Sequence, residues 1–429
     1  MRRLKSITLP AFSCTGQVGR LQSLRGPFRL DLHKVSASRS KLATLSHHRS
    51  LIQLTQHHVH GTPTFPSTRC QAQAQHKLPN CSQPIRSTTS SVSRHLASSS
   101  ATAPTYAPPQ NGILSYFPTK VVPYAELIRL DKPTGSYYLF FPCLWSTIIA
   151  ATVSTPMAST MSVFGTSALF LTGAFVMRGA GCTINDLWDR NLDPHVARTR
   201  FRPIARGAIT PESAIIFTGA QLLTGLAVLL QFPAECFWYA TPSLALVATY
   251  PLAKRITYYP QFVLGLTFSW GAIMGFPALG VDLLSNQSAL IAAACLYTSN
   301  VAWTVLYDMI YAHMDIKDDV KAGIKSIALR HEANTKAVLT ALAVVQVGLL
   351  GAAGAAVGMG PVFFVGSCGS AVATLGTMIW RVKLNEVANC WWWFKNGCWL
   401  AGGGIALGLL GEYYVQALRL YKKDEQEAE

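Results

Sequence analysis

RGAGCTINDLWDRNLDPHVARTRFRPIARGAIT, from Arg178 to Thr210, sets a dense group of charges directly against an apolar run, because Met161 to Met177 contains no charged residue. Asn185, Asp189 and Asp193 follow at intervals of four, a spacing that puts them on one stripe of a helix expected to end at Pro194. Carboxylates at the edge of an apolar segment are costly and are usually kept for function. Hard oxygen ligands suit Mg²⁺, which shares its coordination with water and substrate phosphates. The bland alternative is an ordinary acidic loop. A second group answers the first: in YDMIYAHMDIKDDVKAGIKS, from Tyr307 to Ser326, Asp308, Asp315 and Asp319 fall at i, i+7 and i+11, again one helical stripe, after an uncharged run from Ser288 to Tyr307. Asp318 and the lysines around it read as a solvated face.

The chain has 429 residues, of which 50% are hydrophobic and 13% charged, a balance that belongs to multi-span membrane proteins. Its net charge of +16 is concentrated in the first hundred residues, where 14 Lys and Arg face a single acid, Asp31. The remainder is close to neutral, so nucleic-acid binding is excluded as an explanation of the charge. The ten cysteines are scattered with no CxxC pair, which excludes a zinc ribbon or a disulfide framework.

Residues 1–110, with Arg2, Arg3 and Lys5 at the start, many Ser, Thr and His and almost no acid, have the composition of a mitochondrial transit segment, expected to be disordered; a plain disordered tail is the other reading. Residues 111–429 form the second part. From Gly135 onward nine apolar runs appear, near 135–153, 162–182, 213–230, 237–250, 261–280, 289–307, 337–357, 362–380 and 397–416. Most approach the roughly 20 residues a spanning helix needs. The expected fold is all-α, an integral membrane bundle of nine transmembrane helices with a disordered N-terminal extension. The loops after runs two, four, six and eight hold 15 Lys and Arg, and those after runs one, three, five and seven hold none. The positive-inside rule therefore assigns the even-numbered loops to the matrix side in a mitochondrion, with both aspartate groups on that face.

Two carboxylate groups opposed at one face, interleaved with Lys and Arg, suit Mg²⁺ and a diphosphate, while the apolar bundle offers room for a long hydrocarbon tail. A metal on the diphosphate neutralises charge developing on a leaving group. An allylic diphosphate ionised where water is scarce would be captured by an electron-rich aromatic ring.

The chain resembles the UbiA-type membrane prenyltransferases, and among them the mitochondrial 4-hydroxybenzoate polyprenyltransferases. The resemblance runs over about residues 124 to 415 and rests on RLDKPTGSYYLFFPCLWS from Arg129, MRGAGCTINDLWDRNLD with RTRFRP, YPLAKRITYYPQFVLGLTFSWG from Tyr250, and YDMIYAHMDIKDDVKAGIKS. It implies an NxxxDxxxD motif at Asn185, Asp189 and Asp193, a DxxxD motif at Asp315 and Asp319, and a YxxxK loop at Tyr250 and Lys254. It further implies nine spans, Mg²⁺ held through Asp189, Asp193, Asp315 and Asp319, and transfer of a polyprenyl chain to a ring carbon, expected to be that of 4-hydroxybenzoate in ubiquinone biosynthesis. Arg198, Arg255 and Lys325 are further candidates for the diphosphate, each of which also serves as a positive-inside anchor. Arg129 and Lys132 are candidates to guide an aromatic carboxylate, or snorkelling residues at a helix end. The expected partners are polyprenyl diphosphate, the aromatic acceptor, the lipid bilayer and a quinone-biosynthesis assembly; the expected location is the mitochondrial inner membrane. A meroterpenoid prenyltransferase acting on a polyketide phenol or pyrone in the endoplasmic reticulum shares these motifs, and Ala205-Arg206-Gly207 keeps it open. An ion-coupled transporter fits worse, because the acids cluster at one face and the spans show no inverted repeat.

The loop asymmetry makes a direct prediction. Accessibility tags inserted near Arg206 and Lys383 will report the same face of the membrane, and a tag after Glu429 the opposite face; a C-terminal tag on the Arg206 side would mean an even number of crossings.

Overall fold

Apolar runs of this length and low polarity have one way to satisfy their backbone in a bilayer, the α-helix, and among the described residues of the computed structural model every regular element is helical. The structure describes residues 106–428 other than Ala197 and Ile324; the side chains of Tyr250, Pro251, Lys254, Arg255, Ala322 and residues from 420 on are outside the description. The transit-like reading of residues 1–110 lies almost wholly outside it.

A short helix, α1 (Val122–Leu127), precedes the long ones. Then come α2 (Thr134–Val153), α3 (Thr160–Trp188) and α4 (Pro211–Leu229), each opening where the sequence supplies a start: Pro133 before α2, Ser159 capping α3 through Ser162 N, and Thr210 capping α4 through Ser213 N with Pro211 in the first turn. The fourth apolar run is divided into α5 (Glu235–Ala240) and α6 (Ser243–Ile256), with Pro242 at the break, and the fifth into α7 (Pro260–Phe268) and α8 (Gly271–Ala278). α9 (Gln287–Ala312) is followed by α10 (Ile316–Ala322), α11 (Ile327–Arg330) and α12 (Thr335–Ala356). The last two apolar runs are α13 (Pro361–Phe363) leading through a π-turn, Phe364–Cys368, into α14 (Gly369–Arg381), and α15 (Val387–Gly397) leading through a second π-turn, Cys398–Gly403, into α16 (Gly404–Ala428). Six of these helical stretches are long and apolar enough to cross a membrane. The nine apolar runs all fall on helix, but several are broken or bent rather than straight.

Two expected stripes are corrected. α3 stops at Trp188; Asp189 is its C-cap, its amide bonded to Asn185 O at 2.9 Å, and Asp193 opens a separate 3₁₀ turn, Asp193–His195. Asp193 is drawn inward by Arg202, 2.9 Å away, which a continued helix would not allow. Likewise α9 ends at Ala312, and Asp315 stands at the start of α10 after a turn in which its amide bonds to Ala312 O. The aspartates are therefore spread over helix ends and turns.

The main core lies among α2, α8, α9, α12, α14 and α16, with Trp145, Trp303, Tyr138 and Phe276 fully buried. Close approach is achieved by small residues. A Cβ on Gly275 of α8 would run into the backbone of Ser146 and Thr147 on α2, and one on Gly408 into Ser367. At the far end of the bundle from the aspartates, the buried Glu412 of α16 accepts hydrogen bonds from Gly360 N (2.9 Å) and Phe363 N (3.2 Å), closing the open N-terminus of α13.

Gly275→Ala should therefore force α2 and α8 apart and cost about 1–3 kcal/mol, as overpacking does, whereas Gly348→Ala on α12, where a Cβ meets nothing within 4 Å, should be neutral. Thermal unfolding of the two variants in the same detergent will separate these outcomes.

Candidate functional site

The polar end of the bundle is organised around Asp186, 1% exposed and one residue off the expected stripe. Arg129 places one terminal nitrogen 2.8 Å from both oxygens of this carboxylate, and Arg202 lies 3.1 Å from Oδ1. The same Arg202 nitrogen reaches Asp193 at 2.9 Å. Two guanidiniums and two carboxylates thus form one buried network joining α3, the turn after it and the segment ahead of α2. Arg129 reaches its position from a left-handed backbone, φ 59°, and its other terminal nitrogen donates to Glu126 O at 2.9 Å. Burial pushes the Asp193 carboxyl above its ordinary range, and Arg202 pulls against that shift.

A second link spans the two acidic groups. Arg198, from the loop after α3, contacts Asp315 at 2.7 Å through Nε, and its terminal nitrogen donates to Tyr311 Oη at 2.7 Å. The loop of the first motif is thereby fastened to the second. His313 has both ring nitrogens engaged, with Met309 O at 2.7 Å and Thr335 Oγ1 at 3.1 Å, and stands outside the cavity wall.

Beneath these pairs lies a cavity of about 1910 Å³. Its polar end is lined by Asn185, Asp186, Asp308, Asp315 and Asp318 with Arg129, Arg198 and Arg202. Its apolar part runs between α3, α4 and α6–α8, walled by residues such as Phe170, Leu222, Leu226, Leu244 and Phe268. The rings of Phe170 and Phe232 meet at a tilt with centroids 4.6 Å apart toward the distal end. From Asp186 to Phe170 along α3 the wall extends about 24 Å at 1.5 Å per residue.

At the junction of the two regions sits Arg178. It bonds Cys182 Sγ, faces the Phe268 ring at 6.0 Å, and keeps a buried Nε with no hydrogen-bond partner in the structure. A Cβ on Gly135 would collide with its guanidinium, so the glycine makes room for it. Tyr138 and Tyr307, stacked at 3.6 Å, line the same region.

Of the residues singled out from sequence, Asn185, Asp308, Asp315, Arg198, Arg129 and Lys132 line this cavity, whereas Asp189, Asp193 and Asp319 are not in its wall. Asp193 is joined to it through Arg202. Lys325 donates to Ile256 O at 3.3 Å and lies over Tyr258, away from the cavity. Tyr250, Lys254 and Arg255 belong to α6, with side chains outside the described residues. Reading by spacing passes over Asp186, Arg202 and Arg178. The signal for Arg178 is present in the chain, a lone cation ending a long uncharged run; Asp186 is hidden because the four-residue spacing draws attention to its neighbours.

Among the described residues no three His, Cys, Asp or Glu side chains converge closely enough to hold a metal alone. The donor set nonetheless fits Mg²⁺, which takes one or two carboxylates and fills its remaining positions with water and phosphate oxygens.

Comparison with known proteins agrees with this architecture. Residues 139–402 match the UbiA prenyltransferase family. The chain is 45% identical over 295 residues to a Schizosaccharomyces pombe protein named 4-hydroxybenzoate polyprenyltransferase, mitochondrial, covering 68% of this chain and 81% of that one. It is 40% identical over 335 residues to a Caenorhabditis elegans protein of the same name, covering 77% and 91%. Among solved structures it is similar in fold to a UbiA homolog from Aeropyrum pernix K1, with TM-score 0.51 and 22% identity over 66% of this chain and 98% of that one. A UbiA homolog from Archaeoglobus fulgidus bound to GPP and Mg²⁺ gives TM-score 0.51 at 16% identity over 68% and 99%. A sequence match over more than half the length, on a helical bundle with acids gathered at one end of an apolar cavity, means that the chain belongs to the UbiA prenyltransferase family.

Proposed function

We propose that this protein is a 4-hydroxybenzoate polyprenyltransferase of the mitochondrial inner membrane, with residues 1–110 as a transit segment and residues 111–429 as a nine-span catalytic domain whose site faces the matrix. The observation that carries this reading is a cavity that joins acids and guanidiniums at one end to a long apolar chamber. The names of the curated relatives supply the acceptor and the mitochondrial location, and favour this reading over a meroterpenoid enzyme.

In this reading the prenyl tail lies in the apolar chamber and the diphosphate at the polar end, near Arg198 and Arg202. Asp315 and Asn185, in the cavity wall, would hold Mg²⁺ together with the other motif aspartates Asp189, Asp193 and Asp319, which stand outside that wall in this structure. Tyr250, Lys254 and Arg255 would add diphosphate contacts from α6, whereas Lys325 is engaged with Ile256 O away from the cavity. Bound there, the metal would neutralise charge on the departing diphosphate. The C1–O bond of the donor breaks with its electron pair leaving on the diphosphate, and a ring carbon of the acceptor bonds to C1. The displaced ring proton leaves toward the polar end, where Asp308 and Asp315 line the cavity. Arg178 takes the carboxylate of the acceptor: its partnerless Nε, at the junction of the two regions, is a charged donor awaiting an anion. The apolar wall excludes water that would otherwise trap the allylic cation.

Asp189→Asn and Asp319→Asn should each lower the rate about a hundredfold, the scale of losing one key electrostatic stabiliser, and the double variant should be little worse than either. Titration of prenyl transfer against Mg²⁺ and donor in isolated membranes tests this, and wild-type turnover in either single variant without extra metal would sink the paired-aspartate site.

Arg178→Ala should raise the KM for 4-hydroxybenzoate about tenfold or more, as loss of a charge-assisted hydrogen bond does, with the donor KM little changed. An acceptor lacking the carboxylate should be indifferent to the substitution. Equal losses on both acceptors would assign Arg178 elsewhere.

A further inference from the structure

Arg206 is held from three directions beside the cavity mouth. Its terminal nitrogens reach Glu126 Oε2 at 2.6 Å and Phe201 O at 2.6 Å, and its guanidinium lies over the ring of Tyr106 at 3.8 Å. Tyr106 in turn donates its hydroxyl to Glu126 Oε1 at 2.8 Å. Glu126 and Arg206 are both largely buried, with side chains 14% and 13% exposed. Such an arrangement satisfies both oxygens of the carboxylate and covers the cation with an aromatic face, which strengthens the pair relative to a solvated one.

What this cluster holds matters more than its own stability. Residues 198–206 form a loop of turns that carries Arg198 to Asp315 and Arg202 to Asp186 and Asp193. The loop's far end is Arg206. Glu126 belongs to the same short segment as Arg129, whose side chain grips Asp186 and bonds Glu126 O. One turn of chain ahead of α2 therefore anchors the floor of the polar end through Arg129 and its covering loop through Glu126. Tyr106 and Glu126 border the cavity themselves.

We infer that Tyr106, Glu126 and Arg206 form a clamp that fixes the loop 198–206 over the cavity mouth, making the chain ahead of the first long helix a positioning element for the diphosphate end of the site. This rests on the function proposed above. It also moves the end of the transit segment proposed above from residue 110 to a point before Tyr106, because Tyr106 must stay with the working enzyme to hold Glu126 and Arg206. None of the three residues bonds the donor; they set where Arg198 and Arg202 stand when the donor arrives.

The test uses the full-length protein in membranes. Tyr106→Ala should raise the KM for prenyl diphosphate about fivefold, the scale of one cation–π contact plus one hydrogen bond, with kcat and the acceptor KM within about twofold. Tyr106→Phe, which keeps the ring over Arg206, should recover most of the loss. Tryptic cleavage in the loop 198–206 should be fastest in Tyr106→Ala, intermediate in Tyr106→Phe and slowest in the native chain. Unchanged donor KM together with an unchanged cleavage rate would overturn the clamp. If the native protein prenylates no aromatic acceptor, the functional reading fails, yet the cleavage series still decides the clamp. Should Tyr106→Ala fail to accumulate, Tyr106→Leu, which likewise removes both the ring and the hydroxyl, takes its place: faster cleavage with a raised donor KM supports the clamp, and native values of both overturn it.

Discussion

A carboxylate buried at the edge of a membrane bundle is tolerable only if it is compensated, and Asp186 is compensated twice. Taking it out of water costs several kcal/mol, and that cost is offset by Arg129 on one side and Arg202 on the other. Because these two arginines come from separate parts of the chain, the pairing obliges the segment ahead of α2, the end of α3 and the loop that follows to meet at one point. The polar end of the cavity exists because they do. Loss of either arginine would leave a buried charge with half its partners, so this network is a specification of geometry more than a reserve of stability.

The bundle has two unlike halves. On one side α2, α8, α9 and α12 pack through aromatic rings and through glycines that let backbones touch, leaving a dense wall. On the other, α3, α4 and the segments α5 to α7 enclose open volume. Rigidity on one side and space on the other is what a long flexible substrate needs: reacting atoms held against a fixed surface, and a tail accommodated where packing is incomplete.

Much of this was legible in the chain itself. Apolar length located the helical runs, since hydropathy and backbone satisfaction leave little choice in a bilayer, but the break of the fourth run at Pro242 was not read from it. Two uncharged runs each followed by aspartates located the polar end. Helical spacing then misled, because Asp189 and Asp193 were assigned to one continuing helix, whereas the attraction of Arg202 for Asp193 ends that regularity. Contacts distant in sequence, such as Arg129 with Asp186 or Arg198 with Asp315, leave no periodic trace. Arg178 is a different case, a charge whose solitude in an apolar run was itself the signal.

The backbone at Arg129 bears on how this site tolerates change. A left-handed φ of 59° costs a non-glycine residue roughly 1–3 kcal/mol, so glycine would relax the chain there while abandoning Asp186 to a single partner. Lysine would keep the charge but offers a point donor in place of a planar group that serves Asp186 and Glu126 O together. Each single step away from arginine trades one defect for another, and the position is held by opposing demands of backbone and side chain. Variation at this end of the protein should therefore arrive as coupled substitutions, with Arg129 changing only when its acidic partner changes too.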